Sequence, residues 1–228
     1  MSEPLHWVEI DHDALAHNVR TLRQLLDGAQ LWAVVKAQAY GHGPVETART
    51  VLAAGAAGVI VAVADEAVEL RTAGVKAPIL VLTPPLPDQA LAYATYDLIA
   101  AVADYATARE LAAAGERRGR PIPVHVKVDT GMGRLGVLPE DALPLVTALQ
   151  GLAGIEVAGV FTHMAAADEE DLSSARAQLE RFNAVLAALE RQGLRPPVAH
   201  AANSAGAIVL PESRYSLARV GVALYGIA

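Results

Sequence analysis

Short apolar runs recur along this chain of 228 residues, and stretches with the spacing of amphipathic helices separate them. The runs are rich in Val, Ile, Leu and Ala, which is typical of strands buried on both faces of a parallel sheet. We expect eight such strands, at residues 31–36, 58–63, 78–82, 97–102, 122–129, 155–162, 197–201 and 216–220. A further segment, residues 7–10, alternates apolar and polar positions and predicts a short half-exposed strand before them.

Helical periodicity fills the gaps between these strands. Asp11 is expected to cap a first helix that ends near Gly28. Further helices are expected at 44–54, 65–73, 104–118, 140–149, 173–192 and 204–210, with a weaker one at 85–94. This alternation predicts an α/β fold, a TIM (β/α)8 barrel of eight parallel strands, as a single domain over residues 1–228. An open doubly wound sheet usually has fewer strands, which favours the barrel.

Composition narrows the classes of protein to consider. Hydrophobic residues make up 53% of the chain and charged residues only 19%, so we expect a large core under a thin polar surface. The net charge of −7, without a basic run, argues against binding to nucleic acid. We see neither a membrane-spanning stretch nor a signal peptide, and expect a soluble cytoplasmic protein. Without cysteine, disulfides and thiolate metal sites are excluded, and no metal site is expected.

The first chemical signal is Lys36 in the run VVKAQAYGHG, between an apolar strand and a helix that starts at Pro44. A lysine at a barrel rim can simply extend its ammonium group into water. An amine whose pKa is lowered by its surroundings can instead form a Schiff base or transfer protons. The residues of this run, taken alone, leave both interpretations open.

The ends of the fifth and sixth strands carry further polar residues. Lys127 and Asp129 precede a loop with three glycines around Arg134, whose planar guanidinium suits a carboxylate. His163 ends the sixth strand, where an imidazole commonly forms a hydrogen bond at the rim but can also stack on an aromatic ligand.

The ends of the seventh and eighth strands suggest a site for phosphate. Ser204 is the expected N-cap of the helix 204–210, and Gly221 opens backbone N–H groups to a ligand. Loops after these two strands commonly bind phosphate in TIM barrels, where a helix N-terminus also favours an anion. We therefore expect a lysine on one side of the barrel mouth and a phosphate site beside it.

Five motifs, in this order, resemble those of the alanine racemase family: VVKAQAYGHG, KVDTGMGRLG, FTHMAAADEED, AANSAGA and ARVGVALYG. The resemblance implies a barrel that binds pyridoxal 5'-phosphate (PLP) and interconverts L-alanine and D-alanine, the latter for peptidoglycan. It also implies a homodimer. One departure lies at Gln38, where the family usually has Asn or Asp.

Position by position, the resemblance implies roles for individual residues. Lys36 resembles the lysine that binds PLP and acts as one of two racemisation bases. The expected ligands of the phosphate are Tyr40, Ser204 and the backbone of Gly221 and Val222.

The remaining roles concern the cofactor ring and the substrate. His163 resembles the residue packed on the cofactor, with Asn203 beside it, and Arg219 resembles the arginine that faces the pyridine nitrogen. Arg134 resembles the arginine near the phenolic oxygen and the substrate carboxylate. Lys127 matches a lysine that is carbamylated in some members and holds that arginine. The catalytic set implied is Lys36, Arg134 and His163.

Family members are longer than this chain, because a mostly β second domain follows the barrel. That domain carries the tyrosine that acts as the second base from the partner subunit, and the only substitute here is Tyr225. We therefore expect a barrel domain that is monomeric at low concentration and has reduced racemase activity. Two alternatives stay open: a single-domain PLP-binding protein or scaffold with little racemase activity, and a barrel isomerase or aldolase for a phosphorylated substrate without PLP.

Overall fold

Eight parallel strands form one nearly closed barrel in the computed structural model, which describes residues 6–227. The strands are β1 Gln30–Val34, β2 Gly58–Val61, β3 Ile79–Val81, β4 Ile99–Val102, β5 Ile122–Lys127, β6 Ile155–Phe161, β7 Val198–His200 and β8 Leu217–Val220. Neighbours pair in chain order from β1 to β7, and β8 pairs with β1. Between β7 and β8, the N–H of Ser216 donates to the carbonyl of Ala199 and that of Arg219 to Ala202, both at 3.0 Å. The predicted eight-stranded parallel barrel is confirmed.

Helices surround the barrel at His12–Leu25, Pro44–Ala53, Ala64–Thr72, Ala90–Tyr96, Tyr105–Arg118, Pro139–Leu149, Ser173–Arg191 and Ser204–Val209. None of the helices within residues 6–227 has the length and apolarity needed to cross a membrane. The weak helix predicted at 85–94 is a 3-10 turn, Pro87–Gln89, followed by the helix Ala90–Tyr96. A proline lacks the N–H that a helix interior requires, so the regular helix begins only after Pro87.

The strand predicted at residues 7–10 is wrong. This segment is in no ladder with the described strands, and the side chains of Trp7 and Val8 are 73% and 81% exposed. An alternating pattern shows that a segment can pair at a sheet edge, but the barrel offers this segment no such edge.

The interior of the barrel has an apolar half and a polar half. Trp32, Val34, Ile60, Leu80 and Leu217 form a small apolar cluster of their own. On β5, Val124 and Val126 belong to the larger core between sheet and helices, so His125 and Lys127 face the barrel axis, because successive side chains alternate along a strand. The same alternation turns His200 of β7 and Arg219 of β8 inward, and all four are buried.

Two strand glycines leave room for rings in this interior. A Cβ atom at Gly58 would lie 2.8 Å from the Trp32 ring, and one at Gly159 would lie 2.6 Å from the His125 ring. Real Cβ atoms do not come so close, so each glycine is required by the ring on the neighbouring strand. The imidazole of His125 therefore has a fitted place on the barrel axis.

Candidate active site

A cavity of about 430 Å³ opens at the carboxyl ends of the strands. Its volume lies in the range typical of small-molecule sites. Eight of the residues predicted for the site line it: Lys36, Tyr40, His163, Asn203, Ser204, Arg219, Gly221 and Val222. Two others do not. Arg134 is exposed on the loop after β5, and Lys127 is buried within the barrel.

The sequence predicts Lys36 at the end of the first strand, but β1 ends at Val34. Lys36 instead begins a left-handed turn just beyond the strand. The next four residues, Ala37 to Tyr40, have φ angles of 51°, 57°, 51° and 52°. Side chains four residues apart lie on the same side of a helical turn, and Lys36 and Tyr40 both reach the cavity. A left-handed conformation costs an ordinary residue about 1–2 kcal/mol, so the surroundings must hold this turn in place.

Glu66 supplies much of that support. Its Oε1 accepts a hydrogen bond from the N–H of Ala37 at 2.6 Å, and its Oε2 accepts one from Ala62 at 2.7 Å. Ala39 is fully buried and donates its N–H to the carbonyl of Val35 at 3.0 Å. The sequence analysis missed Glu66, since an acidic residue in the first turn of a helix indicates only a cap.

The loops after β7 and β8 meet through Ser204. Its Oγ accepts hydrogen bonds from the N–H of Gly221 at 2.9 Å and of Ala223 at 3.4 Å. The N–H of Gly221, expected to be open, is thus engaged by the neighbouring loop. A Cβ atom at Gly221 would lie 3.1 Å from Oη of Tyr40, so the two hydroxyl groups and this backbone lie around one corner of the cavity.

The helix cap predicted at Ser204 is wrong, because Asn203 provides it. Oδ1 of Asn203 accepts the N–H of Gly206 at 2.9 Å, and the backbone of Asn203 is extended. Ser204 is already the first helical residue. Its hydroxyl is therefore left to bind the loop after β8 rather than its own helix.

Arg219 is held at the floor of the cavity by acceptors that carry no charge. Its Nη1 lies 2.7 Å from Nδ1 of His200, and its Nη2 donates to the carbonyls of Thr162 at 2.8 Å and Ala201 at 2.9 Å. Burial lowers the pKa of Arg219 to about 9, so the group is still a cation at pH 7. No hydrogen bond within residues 6–227 uses its Nε–H, which leaves a donor for a ligand.

His163 and Lys127 lie close to this cation. Burial and the charge of Arg219 lower the pKa of His163 to about 3, so its imidazole is neutral at pH 7. Burial, Arg219 and Arg134 lower the pKa of Lys127 to about 8. Nζ of Lys127 lies 5.2 Å from the centre of the Phe161 ring. The polar half of the barrel is therefore rich in cations and neutral imidazoles.

Two further residues, whose role the sequence analysis missed, shape the loops around the cavity. The carboxylate of Asp129 accepts hydrogen bonds from the N–H groups of Gly131, Met132, Gly133 and Arg134 at 2.7–3.1 Å. Gln178, buried on a helix, donates from Nε2 to Oγ1 of Thr130 at 3.2 Å and to the carbonyl of His163 at 3.0 Å. Asp129 thus fixes the loop that carries Arg134, and Gln178 ties it to the loop of His163.

Tyr225 does not line the cavity, which contradicts its prediction as a substitute base. Its Oη donates to the carbonyl of Val34 at 3.0 Å, and its ring packs against Tyr40 and His42 at centroid distances of 5.2 and 4.6 Å. Burial raises its pKa above the ordinary value for tyrosine. Tyr225 instead supports the left-handed turn from behind.

Comparison with known proteins gives consistent matches. Residues 10–228 match the family described as "Alanine racemase, N-terminal domain". The chain is 44% identical over its full length to the alanine racemase of Desulforamulus reducens, and 45% identical over 97% of its length to that of Symbiobacterium thermophilum. It covers 62% and 59% of these two proteins, so it spans about 60% of the length of the relatives it matches.

Solved structures agree. The alanine racemase of Clostridium difficile in complex with cycloserine superposes with a TM-score of 0.95 at 30% identity, over 99% of this chain and 62% of that one. The enzyme from the D-cycloserine producer Streptomyces lavendulae gives a TM-score of 0.90 at 40% identity, over 96% and 58%.

Proposed function

The chain belongs to the alanine racemase family, whose N-terminal domain it matches, and from this premise we propose that it supports PLP-dependent interconversion of L-alanine and D-alanine. The product D-alanine would supply peptidoglycan synthesis. The observation that carries the proposal is one cavity lined by a lysine, a buried arginine and a cluster of hydroxyl and backbone N–H groups.

The residues of the cavity fit PLP in charge and in donor type. The hydroxyl groups of Tyr40 and Ser204 and the backbone of Val222 suit a phosphate. The N–H of Gly221 already donates to Oγ of Ser204, so Gly221 contributes mainly its lack of a side chain, since a Cβ atom there would lie 3.1 Å from Oη of Tyr40. Arg219 suits an unprotonated ring nitrogen, because a guanidinium donates hydrogen bonds and cannot accept a proton. Bound there, PLP would supply an electron sink that makes the Cα–H bond of an amino acid acidic.

Each residue of the site then has a defined task. Lys36 would bind the cofactor through Nζ and move the proton at the substrate Cα. The neutral ring of His163 would pack on the cofactor face, with Asn203 beside it. Arg134, which is exposed and does not line the cavity, would bind the substrate carboxylate only if its side chain reaches inward from the loop that Asp129 holds in shape.

Lys127 is proposed to carry a carbamate. With a pKa of about 8, a fraction of its amine is neutral at pH 7 and can attack carbon dioxide, forming an N–C bond and releasing a proton. The resulting anion would face Arg134 and Arg219, the cations that lower its pKa. Carbon-13 NMR of the folded protein in labelled bicarbonate at neutral pH should show one carbamate carbonyl in wild type and none in Lys127→Ala, and its absence from wild type would contradict this assignment.

The cofactor assignment is tested by borohydride reduction of the protein mixed with PLP, followed by peptide mapping. The adduct should map to Lys36 and disappear in Lys36→Ala, whereas Lys76→Ala, a change at an exposed lysine, should retain it. An adduct on Lys76 or Lys127 would show that the assignment is wrong. A visible absorbance band separates PLP chemistry from an aldolase that acts on a phosphorylated substrate.

The phosphate site is tested by PLP affinity. Gly221→Val places a branched side chain against Oη of Tyr40 and should weaken binding more than Ser204→Ala, which removes a single hydroxyl. Equal affinities of wild type and Gly221→Val would remove this corner of the cavity from the proposal.

Activity is tested by incubating L- and D-alanine separately in deuterated water. Tyr40 is the only tyrosine among the described residues that line the cavity, and it is assigned to the phosphate. We therefore expect the chain to exchange the Cα proton of one enantiomer faster and to racemise slowly. Rapid and equal inversion of both would show a second base, whereas PLP binding without exchange would favour the scaffold. Light scattering should show a monomer at low concentration.

A further inference from the structure

Three buried side chains form a hydrogen-bonded chain across the polar half of the barrel. Nδ1 of His125 lies 2.9 Å from Nε2 of His200, and Nδ1 of His200 lies 2.7 Å from Nη1 of Arg219. The exposed fractions of the three residues are 2%, 0% and 3%. His125 does not line the cavity and has no part in the proposed function.

The protons in this chain can be placed in only one way. Arg219 can only donate, so Nδ1 of His200 carries no proton. A neutral His200 then has its proton on Nε2, which donates to Nδ1 of His125. His125 must accept there and carry its own proton on Nε2. A proton on the Nδ1 atom of either ring would set two N–H groups against each other.

Both imidazoles are neutral at pH 7. Burial and the charge of Arg219 lower the pKa of His125 to about 4, and the same two causes lower the pKa of His200 well below its ordinary value. With Lys127 unmodified, the charged groups that face them are the cations Arg219 and Lys127, so no anion stabilises an imidazolium.

The rings have little freedom to rearrange. Phe161 stacks on His200 with a centroid distance of 4.7 Å and an interplanar angle of 2°. Gly159 lies against His125 so closely that no Cβ atom fits between them. The choice of tautomer, rather than rotation of a ring, therefore decides whether His200 accepts from Arg219 or opposes it.

We propose that His125 is a positioning residue: its Nδ1 accepts the Nε2–H group of His200, and this buried hydrogen bond holds His200 in the position from which its Nδ1 accepts from Arg219 and fixes the guanidinium at the cavity. The consequence for the cofactor rests on the proposed function, in which Arg219 faces the ring nitrogen. The order of protons does not rest on it and is measured without PLP.

The first experiment is nitrogen-15 NMR of the imidazole groups in the cofactor-free protein at neutral pH. In wild type, His125 and His200 should both show the Nε2–H tautomer. In His125→Asn, the amide oxygen replaces Nδ1 as acceptor, and His200 should keep its tautomer. In His125→Leu, which has the branched shape of asparagine without its acceptor, Arg219 still keeps the proton of His200 on Nε2. This Nε2–H group is then unpaired, so its proton signal should lose the downfield shift of a hydrogen bond.

The second experiment is the affinity for PLP, measured by visible absorbance. At metal sites, removing a residue that orients a ligating side chain costs about ten- to a hundredfold in affinity, and by analogy His125→Leu should weaken PLP binding on the order of tenfold. His125→Asn should stay within about twofold of wild type by the same reasoning. Circular dichroism spectra equal to that of the wild type would show that both variants fold.

The outcomes separate the proposed role of His125 from the proposed PLP-dependent function. An Nδ1–H tautomer or an imidazolium at His200 in wild type would overturn the proposed chain, even if His125→Leu fails to fold. A hydrogen-bonded shift that the Nε2–H proton of His200 keeps in His125→Leu would overturn the role of His125, and so would a lost hydrogen bond with unchanged affinity for PLP. Absence of PLP binding in wild type would refute the proposed function, while the NMR result would still decide the order of protons.

Discussion

Replacing Gln38 by asparagine should stabilise the folded chain. Gln38 lies in the middle of the left-handed turn that carries Lys36 and Tyr40, with φ 57° and ψ 37°. Its side chain is exposed, and within residues 6–227 it takes part in no side-chain hydrogen bond. The substitution therefore changes little besides the backbone preference of the residue.

The size of the effect follows from that preference. Left-handed backbone costs an ordinary residue about 1–2 kcal/mol, but Asn is several-fold enriched there, which corresponds to a gain of about 0.5–1 kcal/mol. Glycine would avoid the whole cost but would add about 0.5–1 kcal/mol of unfolded-state entropy, so Gln38→Gly should gain no more than Gln38→Asn. For a chain of this size, the expected rise in Tm is about 1–4 °C.

The assay is urea unfolding followed by far-UV circular dichroism, with thermal unfolding as a second measurement. Gln24 offers a matched control, because it is exposed in the right-handed helix His12–Leu25. Asn is a poorer helix former than Gln, so Gln24→Asn should lower the free energy of unfolding by a few tenths of a kcal/mol. Equal destabilisation by both substitutions would refute the assignment of strain to the turn.

Three further predictions concern buried and charged groups. The hydroxyl of Tyr93 is buried and has no hydrogen-bond partner among the described residues, so Tyr93→Phe should raise the free energy of unfolding by about 1 kcal/mol, and a loss in urea unfolding would contradict this. Asp129→Asn keeps one acceptor oxygen but sets an NH2 group against the N–H of Arg134, and should lower the free energy of unfolding by about 1–2 kcal/mol. Asp129→Glu, which keeps the carboxylate, measures how well the loop tolerates a longer side chain. The lowered pKa values of His125 and His163, about 4 and about 3, mean that the unfolded chain binds more protons below its histidine pKa of about 6.5. The urea midpoint should therefore fall as pH is lowered from about 6.5 to 4, and a constant midpoint would show that these rings take up protons in the folded chain as they do in the unfolded chain.

The sequence predicts the barrel well because its strands and helices have different periods. Every one of the eight predicted strands is present, with ends that differ by a few residues. The wrong predictions share one cause: the local sequence pattern does not show which other segment of the chain lies beside a residue in the fold. Residues 7–10 have the alternation of a strand but no edge to pair with, and Asn203 and Ser204 are equally good caps until the backbone of the helix decides between them.

The candidate site was predictable only in part. Residues at strand ends could be proposed from the barrel rule and from motifs, and eight of them line one cavity. Glu66 and Gln178 could not be predicted as site residues. Each lies on a helix, where the spacing of apolar residues indicates only which face is buried. Their contacts are with loops distant in sequence, and a hydrogen bond of that kind leaves no trace in spacing.

The identity of the groups around Arg219 argues for a site that selects anions. The buried polar residues of the described chain are Thr47, His125, Lys127, Thr130, Thr162, Gln178, His200, Ser204, Ser213 and Arg219, and none of them is an acid. A carboxylate beside Arg219 would satisfy the guanidinium but cancel its charge. Imidazoles and carbonyls satisfy it without cancelling that charge, so the interior is positive although the whole chain carries −7. Burying that cation is costly, and a bound phosphate or carboxylate lowers the cost. The barrel therefore keeps a positive interior at the expense of its own stability, and the buried Lys127, whose pKa is lowered to about 8, adds to that cost.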